Sequence, residues 1–311
     1  MRIVFMGTPD FSVPSLEDLA RGEHEVVAVY TQPDRPAGRG RSLVTSPVKK
    51  AAVDLGLEVL QPPSLRQPEE VQRLNDLHPD VIVVAAFGQL LRQAVLDIPS
   101  YDCLNVHPSL LPRHRGASPV AAAILAGDDV TGVSIMLMDR GMDTGPLLAQ
   151  QQVPIVPRDT TGSLTDSLAQ IGARLLMVSL PLWLAGKLEP QSQDNALATY
   201  SEQIGKESGL IDWRCPAVEQ WRRVRAFQPW PGSHTTWQGK VLKVVEAISL
   251  AGDGEPGRVV RAPEDGVCPV GVHTADGILG LVQLQLEGKR VMSADEFIRG
   301  QREFVGALLP S

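Results

Sequence analysis

Asp102-Cys-Leu-Asn-Val-His-Pro-Ser-Leu-Leu-Pro-Arg-His-Arg-Gly-Ala-Ser-Pro-Val120 is the stretch around which the rest of the chain is organised. A short apolar run ends in Asn105 and His107. Residues two apart in an extended strand share a face, so an amide and an imidazole point the same way at the strand's end. Pro108 and Pro112 each fix φ and remove an N–H donor. Ser109 to Pro112 is therefore a rigid turn, and Arg113 to Gly116 a polar loop. Ser118 followed by Pro119 starts a helix, a capping hydroxyl and then proline at the first helical position. Strand, rigid loop and helix thus succeed one another, with polar side chains at the strand's carboxyl end. Ligands bind there in open α/β sheets. His114, between two arginines, is expected in solvent or on a partner surface.

The sequence on either side continues the pattern. Arg2-Ile-Val-Phe-Met-Gly7 is a buried strand closed by glycine, and Gly7-Thr-Pro-Asp10 opens a helix through about Arg21. Glu25 to Tyr30, Leu57 to Leu60 and Asp80 to Ala86 are further strands. Ser46-Pro47 begins a helix by the same capping logic. Pro68-Glu-Glu begins another, with acids in the first turn where the dipole favours them. This alternation describes a doubly wound, Rossmann-like α/β domain with a mainly parallel sheet. The G-x-G-x-x-G pattern is absent, and Pro9 stands where a glycine-rich turn would be needed. A nicotinamide cofactor is therefore not expected. Phe87 and Gly88 leave their strand at the same sheet edge as His107 and offer a backbone wall for a flat ligand. Thr131 to Met138 and Leu147 to Val156 read as strands flanking a glycine-rich loop that holds Asp143. Leu164 to Leu184 has helical spacing.

Composition narrows the classes. With 311 residues, 43% of them hydrophobic, the chain can build a packed core in one large domain or two. The uncharged runs are shorter than about 18 residues, so no membrane association is expected. Met1 leads directly into a strand, without a signal peptide's apolar stretch. Three scattered cysteines show no zinc pattern or paired framework, which fits a reducing, cytoplasmic setting. The net charge of −7 argues against nucleic-acid binding by bulk charge. Charge is uneven, however. Lys206 onward carries 13 basic and 13 acidic residues, so the acidic excess lies before it. Against that background the sixteen-residue loop from Thr31 to Ser46 stands out, since Arg35, Arg39 and Arg41, with Lys49 just beyond, have no acid between them. A loop of this length inside a domain is commonly functional.

The first domain closes at about 188. Residues 189–206 are polar and mixed and read as a linker, leaving 207–311 as a second domain. Ala217 to Phe227 is a helix carrying Arg222, Arg223 and Arg225. Thr235 to Gln238, Val241 to Ile248, Gly257 to Ala262, Val267 to His273 and Leu279 to Leu286 are short strands separated by turn residues. They suggest a small β-barrel of oligonucleotide-binding type. Ser293 to Leu309 reads as a closing helix.

Taken together, these motifs resemble the methionyl-tRNA formyltransferase family over the full length. The resemblance rests on Gly7-Thr-Pro-Asp-Phe11, Thr31-Gln-Pro-Asp-Arg-Pro-Ala-Gly-Arg-Gly40, Asn105-Val-His-Pro-Ser-Leu-Leu-Pro-Arg-His-Arg-Gly-Ala117, Met142-Asp-Thr-Gly145, Ile211-Asp-Trp213 and Arg225-Ala-Phe-Gln-Pro-Trp-Pro-Gly232. It implies transfer of a formyl group from 10-formyltetrahydrofolate to the α-amino group of methionine on initiator tRNA, by a monomer that needs no metal. By the same resemblance Asn105, His107 and Asp143 are catalytic, and Ser109, Leu110, Leu111 and Pro112 form the folate-contacting loop. The basic loop enters the tRNA acceptor end, with Arg39 in the position of its key arginine. Gln203 departs from the pattern, since family members often carry lysine there.

The chemistry asks for these residue types. An amine attacks a formamide carbon and negative charge grows on the formyl oxygen. Fixed donors at that oxygen are worth roughly 3 kcal/mol each in comparable sites. Asn105 and a protonated His107 supply two, and the Asp143 carboxylate favours and orients the charged imidazole. Two other readings compete. A folate-dependent formyltransferase acting on an amino sugar or nucleotide would share the trio but have no use for Arg39 or the barrel. A non-catalytic RNA-binding protein would leave Asn105 and His107 idle.

Overall fold

The computed structural model describes residues 1–37, 42–262 and 268–311. The chain divides into two compact units. The first comprises Met1–Pro119, Val130–Pro154 and Leu164–Ser201, and the second comprises Val120–Asp129, Ile155–Ser163 and Glu202–Ser311. Residues 189–201, expected in a linker, belong to the first unit, because their polar side chains find partners there.

In chain order the elements are β1 (Arg2–Gly7), α1 (Val13–Arg21), β2 (Glu25–Tyr30), β3 (Arg35–Ala37), β4 (Ser42–Val44), α2 (Pro47–Asp54), β5 (Val59–Leu60), α3 (Pro68–Asp76), β6 (Val81–Ala85), α4 (Gln93–Leu96), β7 (Cys103–His107), β8 (Arg115–Gly116), α5 (Pro119–Ala126), β9 (Val130–Leu137), β10 (Leu147–Pro154), α6 (Thr161–Leu184) and β11 (Tyr200–Ser201). Seven strands of the first unit form one sheet in the order β10-β9-β7-β6-β1-β2-β5. The five from β7 to β5 are parallel. Strands β9 and β10 add an antiparallel edge. The chain steps outward from β1 to β2 and β5, then returns to place β6 on the other side of β1. The carboxyl ends of β1, β6 and β7 therefore border the switch point at which such sheets bind ligands.

Burial explains the strands. All five residues of both β6 and β7 are buried, as strands covered on both faces require. Helix α6 is long and apolar enough to cross a bilayer by length and composition alone. It instead buries a stripe including Leu168, Gly172, Leu176 and Leu180. Gly172 permits the close approach, since a Cβ there would lie 2.8 Å from the Val106 side chain on β7.

The second unit adds α7 (Ala217–Ala226), β12 (Ser233–Trp237), β13 (Lys240–Leu250), β14 (Val259–Arg261), β15 (Val270–His273), β16 (Ile278–Leu286), β17 (Met292–Ser293) and α8 (Ala294–Gly300). Its strands form a curled antiparallel sheet in the order β12-β13-β16-β15-β14, with β17 paired to β16. The expected barrel is thus a half-barrel, with no pairing between β12 and β14 among the described residues. Trp237, Phe297 and Phe304 meet edge to face at 5.0 to 5.8 Å in its core.

The closing helix is shorter than expected. Ser293 caps it by accepting from Glu296 N at 3.2 Å, and it ends at Gly300 rather than Leu309. The following residues bond to the free edge of β14, with Gly306 N to Val259 O and Val259 N to Ala307 O both at 2.9 Å. Phe304 is fully buried beneath this segment. Edge pairing and one aromatic anchor there outweigh a further helical turn.

Candidate active site

Asn105 and His107 stand on β7, paired with Met136 and Ser134 of β9. They are 8% and 5% exposed. Both open into a cleft of about 520 Å³ that also takes in Phe87, Gly88, Met136 and Asp143. This volume falls in the small-molecule range of roughly 300–1,000 Å³. The Phe87 wall is pinned through its carbonyl, which accepts from Thr8 Oγ1 at 3.0 Å and Gln32 Nε2 at 3.2 Å.

The two ring nitrogens of His107 have different surroundings. Nε2 lies 3.2 Å from the His114 carbonyl oxygen, so it carries a hydrogen and donates it there. Nδ1 faces Asp143 Oδ1 at 3.6 Å. Burial is the largest influence on this ring and pulls its proton affinity below the ordinary value of 6.5, although Asp143 and the His114 carbonyl pull the other way. Burial thus weighs against the protonated ring expected from the sequence and favours a neutral ring whose Nδ1 can take a proton, while the two acceptors beside it favour the charge.

Asp143 occupies a left-handed conformation with φ of +56°. Its Oδ2 accepts from Gly116 N at 2.8 Å. His114, expected in solvent or on a partner surface, is 6% exposed and Arg115 1% exposed, so both are interior although Arg113 is exposed. Strand β8 explains it. Arg115-Gly116 pairs in parallel with Tyr200-Ser201, and His114 N donates to Thr199 Oγ1 at 2.9 Å. Arg115 lies in a motif that stood out in the sequence, but its partners Gln193, Asn195 and Tyr200 did not, because nothing periodic links positions about 80 apart.

The other expected positions are distributed as follows. Pro108 lines the cleft. Ser109 is buried and donates to Arg113 O at 2.7 Å, while Leu111 N donates to Ser134 Oγ at 3.1 Å and Leu111 O accepts from Gln150 at 2.9 Å. Leu110 packs against Gly132. Ser109 to Pro112 are thus held against β9 and β10. The Cys103 thiol is pushed up to about 12 by burial and is no nucleophile.

Among the basic positions, Arg39 and Arg41 lie outside the described residues. Arg35 is exposed and reaches Gln32 Oε1 at 3.4 Å. Lys49 is paired with Asp34 at 2.6 Å. In the second unit Arg222 packs against Gly127. Arg223 donates to Ser208 O at 2.7 Å and lies 5.0 Å from the centre of the Phe227 ring.

Comparison with known proteins bears on this arrangement. A family model described as formyl transferase matches residues 1–180, and one described as formyl transferase, C-terminal domain, matches residues 203–302. The chain is 50% identical over 310 residues to a methionyl-tRNA formyltransferase of Dehalococcoides mccartyi, covering 99% of this chain and 98% of the relative. It is 47% identical over 303 residues to a methionyl-tRNA formyltransferase of Pseudomonas fluorescens, covering 97% and 95%. Among solved structures, an N-formyltransferase of Helicobacter canadensis in complex with folinic acid and dTDP-3-aminofucose shares the fold with a TM-score of 0.67. The sequence identity there is 17%, over 90% of this chain and 98% of that one.

Proposed function

The chain belongs to the formyl transferase family, and on that premise we propose that it transfers the formyl group of 10-formyltetrahydrofolate to the α-amino group of methionyl initiator tRNA, giving N-formylmethionyl-tRNA. The observation that carries the chemistry is the convergence of Asn105, His107 and Asp143 on one cleft. Near-full-length identity to two methionyl-tRNA formyltransferases supports the acceptor.

The cleft fits a folate in its chemistry, with apolar walls at Phe87 and Met136 and polar groups at one end. When bound, 10-formyltetrahydrofolate supplies the formamide carbon and a nitrogen leaving group. The Asn105 amide donates to the formyl oxygen as charge grows there. His107 takes the proton of the attacking amine at Nδ1 and returns it to the departing nitrogen. The His114 carbonyl fixes the tautomer that leaves Nδ1 free for this task. Asp143 stabilises the imidazolium that forms and is itself held by Gly116 N. All three residues lie in the first unit of one chain, so the trio needs no residue from a second copy, and the working form we infer is a monomer acting in the cytoplasm.

Arg35, Arg39, Arg41 and Lys49 contact the tRNA backbone from the first unit, and Arg222 from the second. Arg223 is already engaged by Ser208 and Phe227. Incubation with 10-formyltetrahydrofolate and methionyl initiator tRNA, followed by deacylation, should yield formylmethionine. An aminosugar nucleotide should not be formylated. Absence of formylmethionine, or preference for the sugar, would overturn the proposal.

A further inference from the structure

The side chain of Arg115 is buried, yet among the described residues it has no carboxylate partner. Its guanidinium instead donates to neutral groups. Nε and Nη2 reach Gln193 Oε1 at 3.1 and 2.8 Å, Nη2 also reaches Asn195 Oδ1 at 2.9 Å, and Nη1 reaches the Tyr200 hydroxyl at 3.4 Å. A buried charge is costly unless its donors are matched. Here they are matched mostly by amide oxygens of one short segment. With both lone-pair directions of Gln193 Oε1 taken by Arg115, the Gln193 amide nitrogen must point the other way. It donates to the carbonyls of Asp143 at 2.9 Å and Gly145 at 2.7 Å.

The same segment holds the opposite side of the site. Ser201 Oγ donates to Arg115 O at 3.1 Å, and Tyr200-Ser201 pairs with Arg115-Gly116. Gly116 N is the donor to the Asp143 carboxylate. The backbone of Asp143 is therefore gripped by Gln193 and its carboxylate by Gly116, with Arg115 common to both.

We propose that Gln193, oriented by the buried guanidinium of Arg115, is a positioning residue that sets the Asp143 carboxylate against His107. This rests on the role given to Asp143 above. Gln193 does not touch the reacting atoms. It fixes the carbonyls on either side of Thr144, and so the left-handed backbone from which the Asp143 side chain departs. Misplacing a catalytic partner by about 1 Å costs on the order of 10²-fold. The loss should fall more on kcat than on KM, because the folate walls at Phe87 and Gly88 are pinned by Thr8 and Gln32, although residues 139–143 line the same cleft.

The test is a double-mutant cycle with Gln193→Met and Asp143→Asn, following kcat and KM for 10-formyltetrahydrofolate. Gln193→Met should lower kcat by about tenfold or more while KM for the folate changes less than about twofold. In the Asp143→Asn background the same substitution should have little further effect, because the carboxylate it positions is gone. Gln193→Glu guards against a merely structural loss. It preserves size and pairs with Arg115 but sets an oxygen against Asp143 O and Gly145 O, so it should be slow even when kcat is measured on the fraction shown to be folded by its melting curve. Wild-type kcat in Gln193→Glu, or effects of Gln193→Met and Asp143→Asn that multiply in full, would overturn the proposal while leaving Asp143 in the mechanism. Normal turnover in Asp143→Asn would instead remove Asp143 itself, and Gln193 with it.

Discussion

The cleft at the end of β7 and the helix α7 both bury ionisable side chains, and they use them differently. In the cleft, His107 and Asp143 face each other beside an open volume of about 520 Å³. On α7, Arg225 is 9% exposed, lies 4.0 Å from the centre of the Trp221 ring, and donates to the carbonyls of Val156 at 3.3 Å and Asp159 at 3.4 Å. The arginine is held by a ring and two carbonyls and does not line the cleft at the end of β7. A buried charge alone marks a packing solution as readily as a chemical one. Space, a free lone pair and a second acceptor are what separate the two.

Substitutions can test that contrast. His107→Ala should lower kcat by about 10²-fold or more with the melting temperature little changed. Asn105→Ala should cost about 10²- to 10³-fold. Arg225→Met should do the reverse, losing about 1–3 kcal/mol of stability through two orphaned carbonyls while the folded fraction keeps its kcat. If Arg225→Met instead abolished transfer in a well-folded chain, the distinction drawn between the two regions would fail.

Gly116→Ala should affect both properties at once. A Cβ there would lie 2.6 Å from Ser201 O, on a residue with φ of +109°. The strain, about 1–3 kcal/mol, should lower the melting temperature. Displacement of the Gly116 N–H from Asp143 should also slow turnover, measured on the folded fraction.

Acidity gives a smaller effect with a defined sign. The unfolded His107 ring titrates near 6.5 and the folded ring lower, because burial disfavours its charge. Between those values the unfolded chain binds more protons, so stability contributed by this residue is intact above pH 6.5 and declines as pH falls below it. Turnover should decline only at the lower end of that interval, as pH approaches the folded ring's own value and Nδ1 becomes occupied. Melting curves of wild type and His107→Ala at pH 7 and at lower pH should show the dependence in the parent alone. The smallest effect concerns Lys49. If it contacts phosphate, Lys49→Ala should reduce the slope of log affinity against log salt by about 1. An unchanged slope would leave Asp34 as its sole partner.

How far the sequence could be read depended on the range of the interactions. Asn105 and His107 were legible because a period of two places them on one face of an apolar strand. The β1, β6 and β7 runs were legible because strands covered on both sides are continuously apolar. Ser46 announced its helix through a local cap. His114 was misjudged because a loop flanked by arginines looks solvated, while its burial comes from pairing with residues 85 positions away. The carboxylate beside His107 could be named from sequence, whereas the burial that opposes the ring's charge could not. Gln193 was invisible for a related reason. It lies in a polar stretch that resembles a linker, and only the buried Arg115 reveals why that stretch is polar.

A crystal structure with a folate analogue bearing a non-transferable carbonyl at the formyl position would test the convergence most directly. The carbonyl oxygen should lie within about 3.2 Å of the Asn105 amide nitrogen, with its carbon open to His107 Nδ1. An analogue seated in the cleft with that carbonyl directed away from Asn105 and His107, or bound elsewhere on the chain, would contradict the mechanism.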